Sequence, residues 1–159
     1  MMKTIAQFES KYGVKLIDRL GDGKDGNVFK ASSERAVKFL ISDELYCREL
    51  RAYQILRQRN IARINGFGIP RLARHDDPLR ATEMSIVQPP FLLDFASAYT
   101  IEEYNRFEFS EDVLAETEAK HSEMFGERWQ EVMDLCNAFT RYTGLILLDL
   151  SLNNLRFSN

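Results

Sequence analysis

Residues 21–28 read Gly-Asp-Gly-Lys-Asp-Gly-Asn-Val and match the pattern G-x-G-x-x-G-x-V. Val14–Leu20, before them, alternates apolar and polar residues, and Asn27–Ala31 is again strand-like, which predicts two antiparallel strands joined by a glycine-rich turn. Such a hairpin can form a flap whose backbone amides approach phosphate groups, because its glycines place no side chain in the way. The alternative is a glycine-rich turn that binds no ligand, and the pattern alone does not decide between them.

A lysine and a glutamate follow at positions that predict an ion pair. Arg35–Ile41 reads as a third strand, in which Lys38 points inward among apolar residues. From Ser42, as N-cap, to about Arg59 the pattern is helical, and one face carries Leu45, Glu49, Ala52 and Leu56. A buried ammonium or carboxylate is costly without a partner, so Lys38 and Glu49 are expected to meet. The alternatives are a purely structural salt bridge and a lysine that extends outward to solvent.

The remaining elements are predicted from periodicity and from turn residues. They are a first helix at Thr4–Tyr12, strands at Arg71–Arg74 and Met84–Val87, a linker at Phe91–Tyr99 after Pro89-Pro90, an acidic stretch at Ile101–Glu118 that forms solvated surface, a helix at Glu127–Tyr142, and strands at Leu145–Leu148 and Leu155–Phe157 around a loop at Asp149–Asn154. The prolines are expected to end the fifth strand, because a proline has no N–H for a central ladder.

The order of glycine flap, lysine strand, glutamate helix, two strands and proline-marked linker resembles the N-terminal lobe of protein kinases over about Leu16–Val87. Further on, Leu148-Asp-Leu-Ser-Leu-Asn-Asn154 is similar to the spacing R-D-L-x-x-x-N of the catalytic loop in that family. A surface turn rich in Asn and Asp is the alternative for this second segment.

The resemblance implies a role for each matching residue. Gly21, Gly23 and Gly26 would cover the phosphates of ATP, with Val28 and Ala36 beside the nucleotide, and Lys38, oriented by Glu49, would contact the α- and β-phosphates. Gln88 would lie at the adenine, and Asp94 would contact the ribose or cap the next helix. Asp149 would act as the base and Asn154 would hold Mg²⁺, with Asp149 as a second metal ligand.

The sequence also departs from the family pattern. No D-F-G occurs up to Asn159, so the metal site is expected to be incomplete, with Asp149 or Asn153 as substitutes. Leu147 and Leu148 replace the usual His-Arg, which argues against regulation by a phosphorylated activation loop. Pro89 and Pro90 remove two backbone donors at the linker, which predicts altered adenine recognition.

Composition excludes several other classes. The 159 residues carry a net charge of −3 with scattered basic residues, so neither a nucleic acid nor a membrane surface is an expected partner. Met1–Ser10 has no apolar signal segment, and Cys47 and Cys136 are interpreted as buried apolar residues in a reducing compartment, so the chain is expected in the cytoplasm. His75 and His121 lack partners at metal-ligand spacing.

The sequence therefore predicts an α+β fold: a five-stranded antiparallel sheet with one crossing helix, followed by a reduced, mostly helical second lobe. The predicted division is an N-lobe at 14–88, a linker at 89–100 and a C-lobe remnant at 101–159 within one kinase-like domain. The predicted function is ATP binding, with phosphotransfer to a protein Ser/Thr hydroxyl. The alternatives are a catalytically silent module that binds nucleotide or a completing protein partner, and a small-molecule phosphotransferase.

Overall fold

A computed structural model describes residues 1–158. The first part of the chain contains α1 (Met2–Tyr12), β1 (Leu16–Gly23), β2 (Gly26–Ala31), β3 (Arg35–Leu40), α2 (Asp43–Gln58), β4 (Arg63–Ile64), β5 (Phe67–Gly68), β6 (Leu72–Asp76) and β7 (Ala81–Ser85). The second part contains β8 (Phe91–Leu92), β9 (Ala98–Thr100), α3 (Ile101–Asn105), α4 (Glu111–Phe125), a 3₁₀ turn (Gly126–Arg128), α5 (Trp129–Thr143), β10 (Leu145–Leu147) and β11 (Leu155–Arg156).

The predicted five-stranded antiparallel sheet is confirmed. Its order is β1-β2-β3-β7-β6, and every neighbouring pair is antiparallel. The fifth of these strands along the chain, β7, begins and ends earlier in the sequence than the predicted Met84–Val87, and it ends at Ser85, before the two prolines. Its position follows from its pairing with β3, in which Ala36 lies opposite Met84 and Lys38 opposite Thr82, so that four successive buried residues of β7 fill the sheet.

Helix α2 forms where the sequence predicts it. The Ser42 hydroxyl accepts a hydrogen bond from the Leu45 amide at 3.3 Å, and acidic residues occupy the first turn, where the helix dipole favours them. Its inner face buries Tyr46, Glu49, Ala52, Tyr53 and Leu56. The helix therefore crosses the sheet with one carboxylate among apolar and aromatic side chains.

Short strands connect the two parts of the chain. The predicted linker contributes β8, which pairs with β5 and β11, and β9, which pairs with β10. The linker is thus more regular than predicted, because its backbone groups find partners in the C-terminal strands. The acidic stretch forms α3 and most of α4, and its side chains are mainly exposed, as predicted.

The largest apolar cluster extends across both parts of the chain, from Ala36 in β3 to Leu155 in β11, and includes residues of α2 and α5. The buried face of α5 consists of Val132, Leu135, Ala138, Phe139 and Thr143. One cysteine prediction is wrong: Cys47 is exposed on the outer face of α2, whereas Cys136 is partly buried. Among the helices of residues 1–158, none has the length and apolar content needed to cross a membrane.

Candidate functional site

The main cavity of the described chain has a volume of about 780 Å³ and lies between the five-stranded sheet and the second part of the chain. The β1–β2 hairpin, β3 and β7 line one side, and β8 with the loop after β10 lines the other. Its lining includes Gly21, Gly23, Gly26, Val28, Ala36, Lys38, Asp94, Asp149 and Asn154. The fold therefore brings together nine of the residues selected from the sequence.

Two selected residues lie outside this lining. Gln88 is exposed and does not line the cavity, although Val87 beside it does. Glu49 is fully buried behind Lys38, so it reaches the cavity only through that lysine. A role for Gln88 at adenine stays a prediction.

The three glycines of the hairpin have different structural surroundings. A Cβ on Gly26 would collide with the carbonyl oxygen of Phe39 on the neighbouring strand. A Cβ on Gly21 or Gly23 would meet no atom within 4 Å, and neither residue has a positive φ. Of these three glycines, only Gly26 is therefore required by the packing of the strands. Gly21 and Gly23 leave the surface of the hairpin without side chains.

Lys38 is held by two carboxylates. Its ammonium donates to Oε2 of Glu49, and to Oδ1 of Asp94 at 2.8 Å. Glu49 also accepts a hydrogen bond from the Thr82 hydroxyl at 3.3 Å. An ammonium has three N–H donors, so these two partners leave one N–H of Lys38 without a partner. The Lys38 side chain lines the cavity.

The charge state of Lys38 follows from these contacts. Burial by itself favours the neutral amine, but the negative charges of Glu49 and Asp94 outweigh burial and raise the pKa of Lys38. For Glu49 burial has the opposite effect and raises the pKa of the carboxyl group, although Lys38 and Thr82 act to lower it. Since the pKa of Lys38 lies above its ordinary value, Lys38 is a cation at neutral pH.

Asp94 is the second carboxylate that contacts Lys38. It adopts φ 66°, and its Oδ1 accepts hydrogen bonds from Lys38 and from the backbone amide of Ala96 at 3.3 Å. The sequence reasoning placed this carboxylate at the ribose or at a helix N-terminus. The next helix, α3, is capped by Thr100 and not by Asp94, whereas a contact between Asp94 and ribose stays a prediction.

Hydrogen bonds within the loop and to the segment at 93–97 fix the loop that carries Asp149 and Asn154. The Ser151 carbonyl accepts hydrogen bonds from the amides of Asn154 and Leu155, and the Leu93 amide donates to the Asn154 carbonyl at 2.7 Å. The Asp149 amide donates to the Ser97 hydroxyl at 3.1 Å. These contacts hold Asp149 and Asn154 on the same wall of the cavity.

The cavity also has many apolar lining residues. Its lining includes Tyr53, Met84, Ile86, Val87, Phe91 and Leu93, in addition to Val28 and Ala36. The Tyr53 hydroxyl lies 3.0 Å from the Met84 sulfur, which turns both side chains toward each other within the core. The cavity thus combines apolar side chains with a few polar groups, as small-molecule sites commonly do.

Sequence reasoning missed Lys24, Asp25, Tyr53 and Met84, all of which line the cavity. Lys24 and Asp25 form the tip of the hairpin, between the glycines, and two adjacent charges at a predicted turn are a usable signal. Tyr53 and Met84 carry no such signal, because an aromatic or methionine at a buried position is ordinary core.

No protein-family model and no curated protein matches the chain. Among solved structures, it is similar to APH(2'')-IIa in a ternary complex with streptomycin and ATP (TM-score 0.45, 17% identity), to the aminoglycoside phosphotransferase APH(2'')-Ib bound to ADP (0.45, 18%) and to APH(2'')-IIa with gentamicin (0.46, 18%). The similarity covers 74–75% of this chain and 34–35% of those chains, so the chain spans about a third of their length.

The arrangement that the sequence predicted for the first part of the chain is present. It consists of the five-stranded antiparallel sheet, the crossing helix α2 and the Lys38–Glu49 contact between them.

Proposed function

We propose that the chain binds ATP in the main cavity, with the triphosphate beneath the β1–β2 hairpin. The observation that carries this proposal is Lys38, a cation only 6% exposed that is fixed by Glu49 and Asp94 and still lines the cavity. A structural ion pair alone would be satisfied by Glu49. Lys38, however, keeps one N–H donor without a partner, and the nearby hairpin has no side chains at Gly21 and Gly23. Both features suit an anionic ligand.

The apolar part of the cavity lining suits a planar base. Val28, Ala36, Met84 and Leu93 offer contact area there, and Val87 begins the segment that leads to Pro89 and Pro90. Since the two prolines have no N–H, hydrogen bonds to adenine would come from backbone groups before them or after them.

Magnesium fits this site only together with the nucleotide. Within residues 1–158, no group of three His, Cys, Asp or Glu side chains is close enough to hold a metal ion. Mg²⁺ commonly binds through one or two protein oxygens plus phosphate oxygens, and Asp149 and Asn154 supply such oxygens on the cavity wall. When bound, Mg²⁺ would neutralise charge on the phosphates.

The proposed reaction is transfer of the γ-phosphoryl group of ATP to a hydroxyl oxygen: the bond between the γ-phosphorus and the β–γ bridging oxygen breaks, ADP leaves, and Asp149 accepts the hydroxyl proton. Two classes of acceptor are proposed for this reaction: a Ser or Thr hydroxyl of a protein, and a hydroxyl of a small molecule. A catalytically silent nucleotide-binding module is the competing function. One contact favours the silent module: Lys24 pairs with Asp149 at 2.7 Å and occupies the carboxylate that the reaction needs.

Binding is tested by thermal unfolding with and without ATP and Mg²⁺. At about 100 times the dissociation constant, ligand adds about 2.7 kcal/mol of stability, which raises the melting temperature by about 5–10 °C in a domain of this size. Lys38→Met is expected to abolish the shift, and so is Lys38→Met combined with Glu49→Gln, which leaves no unpaired buried charge. Lys30→Met is the matched control, since Lys30 pairs with Glu34 outside the cavity lining. The absence of a shift in the native protein would refute ATP binding.

Transfer is tested with γ-labelled ATP, a protein mixture and gentamicin as acceptors. Label should appear with the native protein and fall at least about 100-fold in Asp149→Asn, as expected when a general base is lost. Equal incorporation by both proteins would remove Asp149 from the reaction. ATP binding with no label on any acceptor would support the silent module.

A further inference from the structure

Lys24 connects the glycine hairpin to the opposite wall of the cavity. It lies at the turn between β1 and β2, and its ammonium is 2.7 Å from Oδ2 of Asp149. Both residues line the cavity. The contact joins two segments of the lining that are 125 residues apart in sequence.

The Lys24–Asp149 contact is easily exchanged for another. The side chain of Lys24 is 74% exposed and that of Asp149 is 35% exposed, so water screens their attraction. Exposed ion pairs stabilise proteins little. A doubly charged phosphate group at the same place would compete with a single carboxylate for this ammonium.

Three cations line the cavity: Lys24 at the hairpin tip, Lys38 in β3 and Arg156 in β11. Lys38 already lies between the carboxylates of Glu49 and Asp94. The carboxylates of Asp25, Asp94 and Asp149 line the same cavity, and burial, together with the nearby Asp94 carboxylate, raises the pKa of Asp25. A polyphosphate entering the cavity therefore needs positive charge that Lys38 alone does not supply.

We infer that Lys24 is a nucleotide contact that leaves Asp149 for the terminal phosphate of ATP when the nucleotide binds. This inference rests on the proposed ATP site. It assigns Lys24 two effects: it makes the site prefer a triphosphate over shorter nucleotides, and its departure frees the Asp149 carboxylate. The affinity for a nucleotide thus depends, through Lys24, on the number of its phosphates.

The test compares dissociation constants for ATP, ADP and AMP, measured by calorimetry at fixed Mg²⁺ concentration. Lys24→Met should weaken ATP binding by about tenfold, as expected for one charge-assisted hydrogen bond, and AMP binding by less than about twofold. Lys24→Arg should keep most of the preference for ATP, and Lys30→Met, on the same hairpin, should leave all three constants unchanged. Without nucleotide, Lys24→Met should melt within about 1 °C of the native protein, because the pair is exposed.

The outcomes separate this inference from the proposed function. If the native protein binds ATP and Lys24→Met loses equal affinity for ATP and AMP, or none, the role of Lys24 is refuted while the ATP site stands. If the native protein binds none of the three nucleotides, both are refuted.

Discussion

At the scale of single residues, the three hairpin glycines separate a requirement of folding from a requirement of binding. Gly26 lies against the backbone of Phe39, so that a methyl group there would push β2 away from β3. Gly21 and Gly23 border open space. Any sensitivity of those two positions to substitution therefore has to come from a ligand.

We expect Gly26→Ala to lower the free energy of unfolding by about 1–3 kcal/mol, the usual cost of overpacking that moves backbone. Gly21→Ala and Gly23→Ala should change it by less than about 0.5 kcal/mol, as for surface substitutions without a packing conflict. Denaturant titration of the three variants measures this. Equal destabilisation at positions 21 and 26 would contradict the assignment.

At the scale of elements, α2 is fixed to the segment that follows Asp94. Arg48 donates to the Ala96 carbonyl at 2.8 Å, and Arg51 donates to the Ala98 carbonyl and to both carboxylate oxygens of Glu103. Glu103 also accepts a hydrogen bond from the Thr100 amide, as part of the cap of α3. These contacts hold α2, and Glu49 with it, in the position that pairs with Lys38.

The Arg51–Glu103 contact predicts a pH dependence of stability. Hydrogen bonds from Arg51, opposed by burial and assisted by Thr100, lower the pKa of Glu103 from 4.5 to about 2. A carboxyl whose pKa is lowered on folding stabilises the protein fully above pH 4.5, and this contribution is lost as the pH falls toward 2. The difference in unfolding free energy between the native protein and Glu103→Gln should therefore shrink from pH 5 to pH 3.

Denaturant titrations at pH 5, 4 and 3 measure that difference. Glu102→Gln is the control, because it removes a neighbouring carboxylate that pairs only with the exposed Arg106. Parallel pH curves for the native protein and Glu103→Gln would show that the contact contributes nothing to stability.

At the scale of the whole molecule, a row of aromatic rings joins the sheet-bearing part to the helical part. The ring centroids of Tyr53 and Phe95 are 5.1 Å apart, and Phe95 stacks on Phe139 of α5 at 5.4 Å. All three rings are at most 2% exposed. We propose on this basis that the chain unfolds as one cooperative unit.

Phe139→Ala is expected to destabilise the protein by about 3–5 kcal/mol, the usual cost of removing a buried ring. Fluorescence of Trp129, the single tryptophan, reports on the second part of the chain, and far-UV circular dichroism reports on all of it. The two transitions should coincide in the native protein and in the variant. Separate transitions would show that the two parts unfold independently.

The sequence by itself determined the sheet, the crossing helix and the inward lysine and glutamate. These follow from local signals: alternation in the strands, the Ser42 cap, the glycines of the turn, and the cost of burying a lone charge at Lys38 or Glu49. Because such signals involve residues within a few positions of each other, they can be interpreted without the rest of the chain.

Only the tertiary structure decided the partners across the cavity. Lys38 contacts Asp94, 56 positions away, and Lys24 contacts Asp149, 125 positions away, although neither pair has a local pattern. The short strands β8 and β9, in the segment that the sequence marks only as a linker, likewise form because distant segments supply their hydrogen bonds. Contacts of this kind depend on how the two parts of the chain pack together, and periodicity within one segment holds no information about that packing.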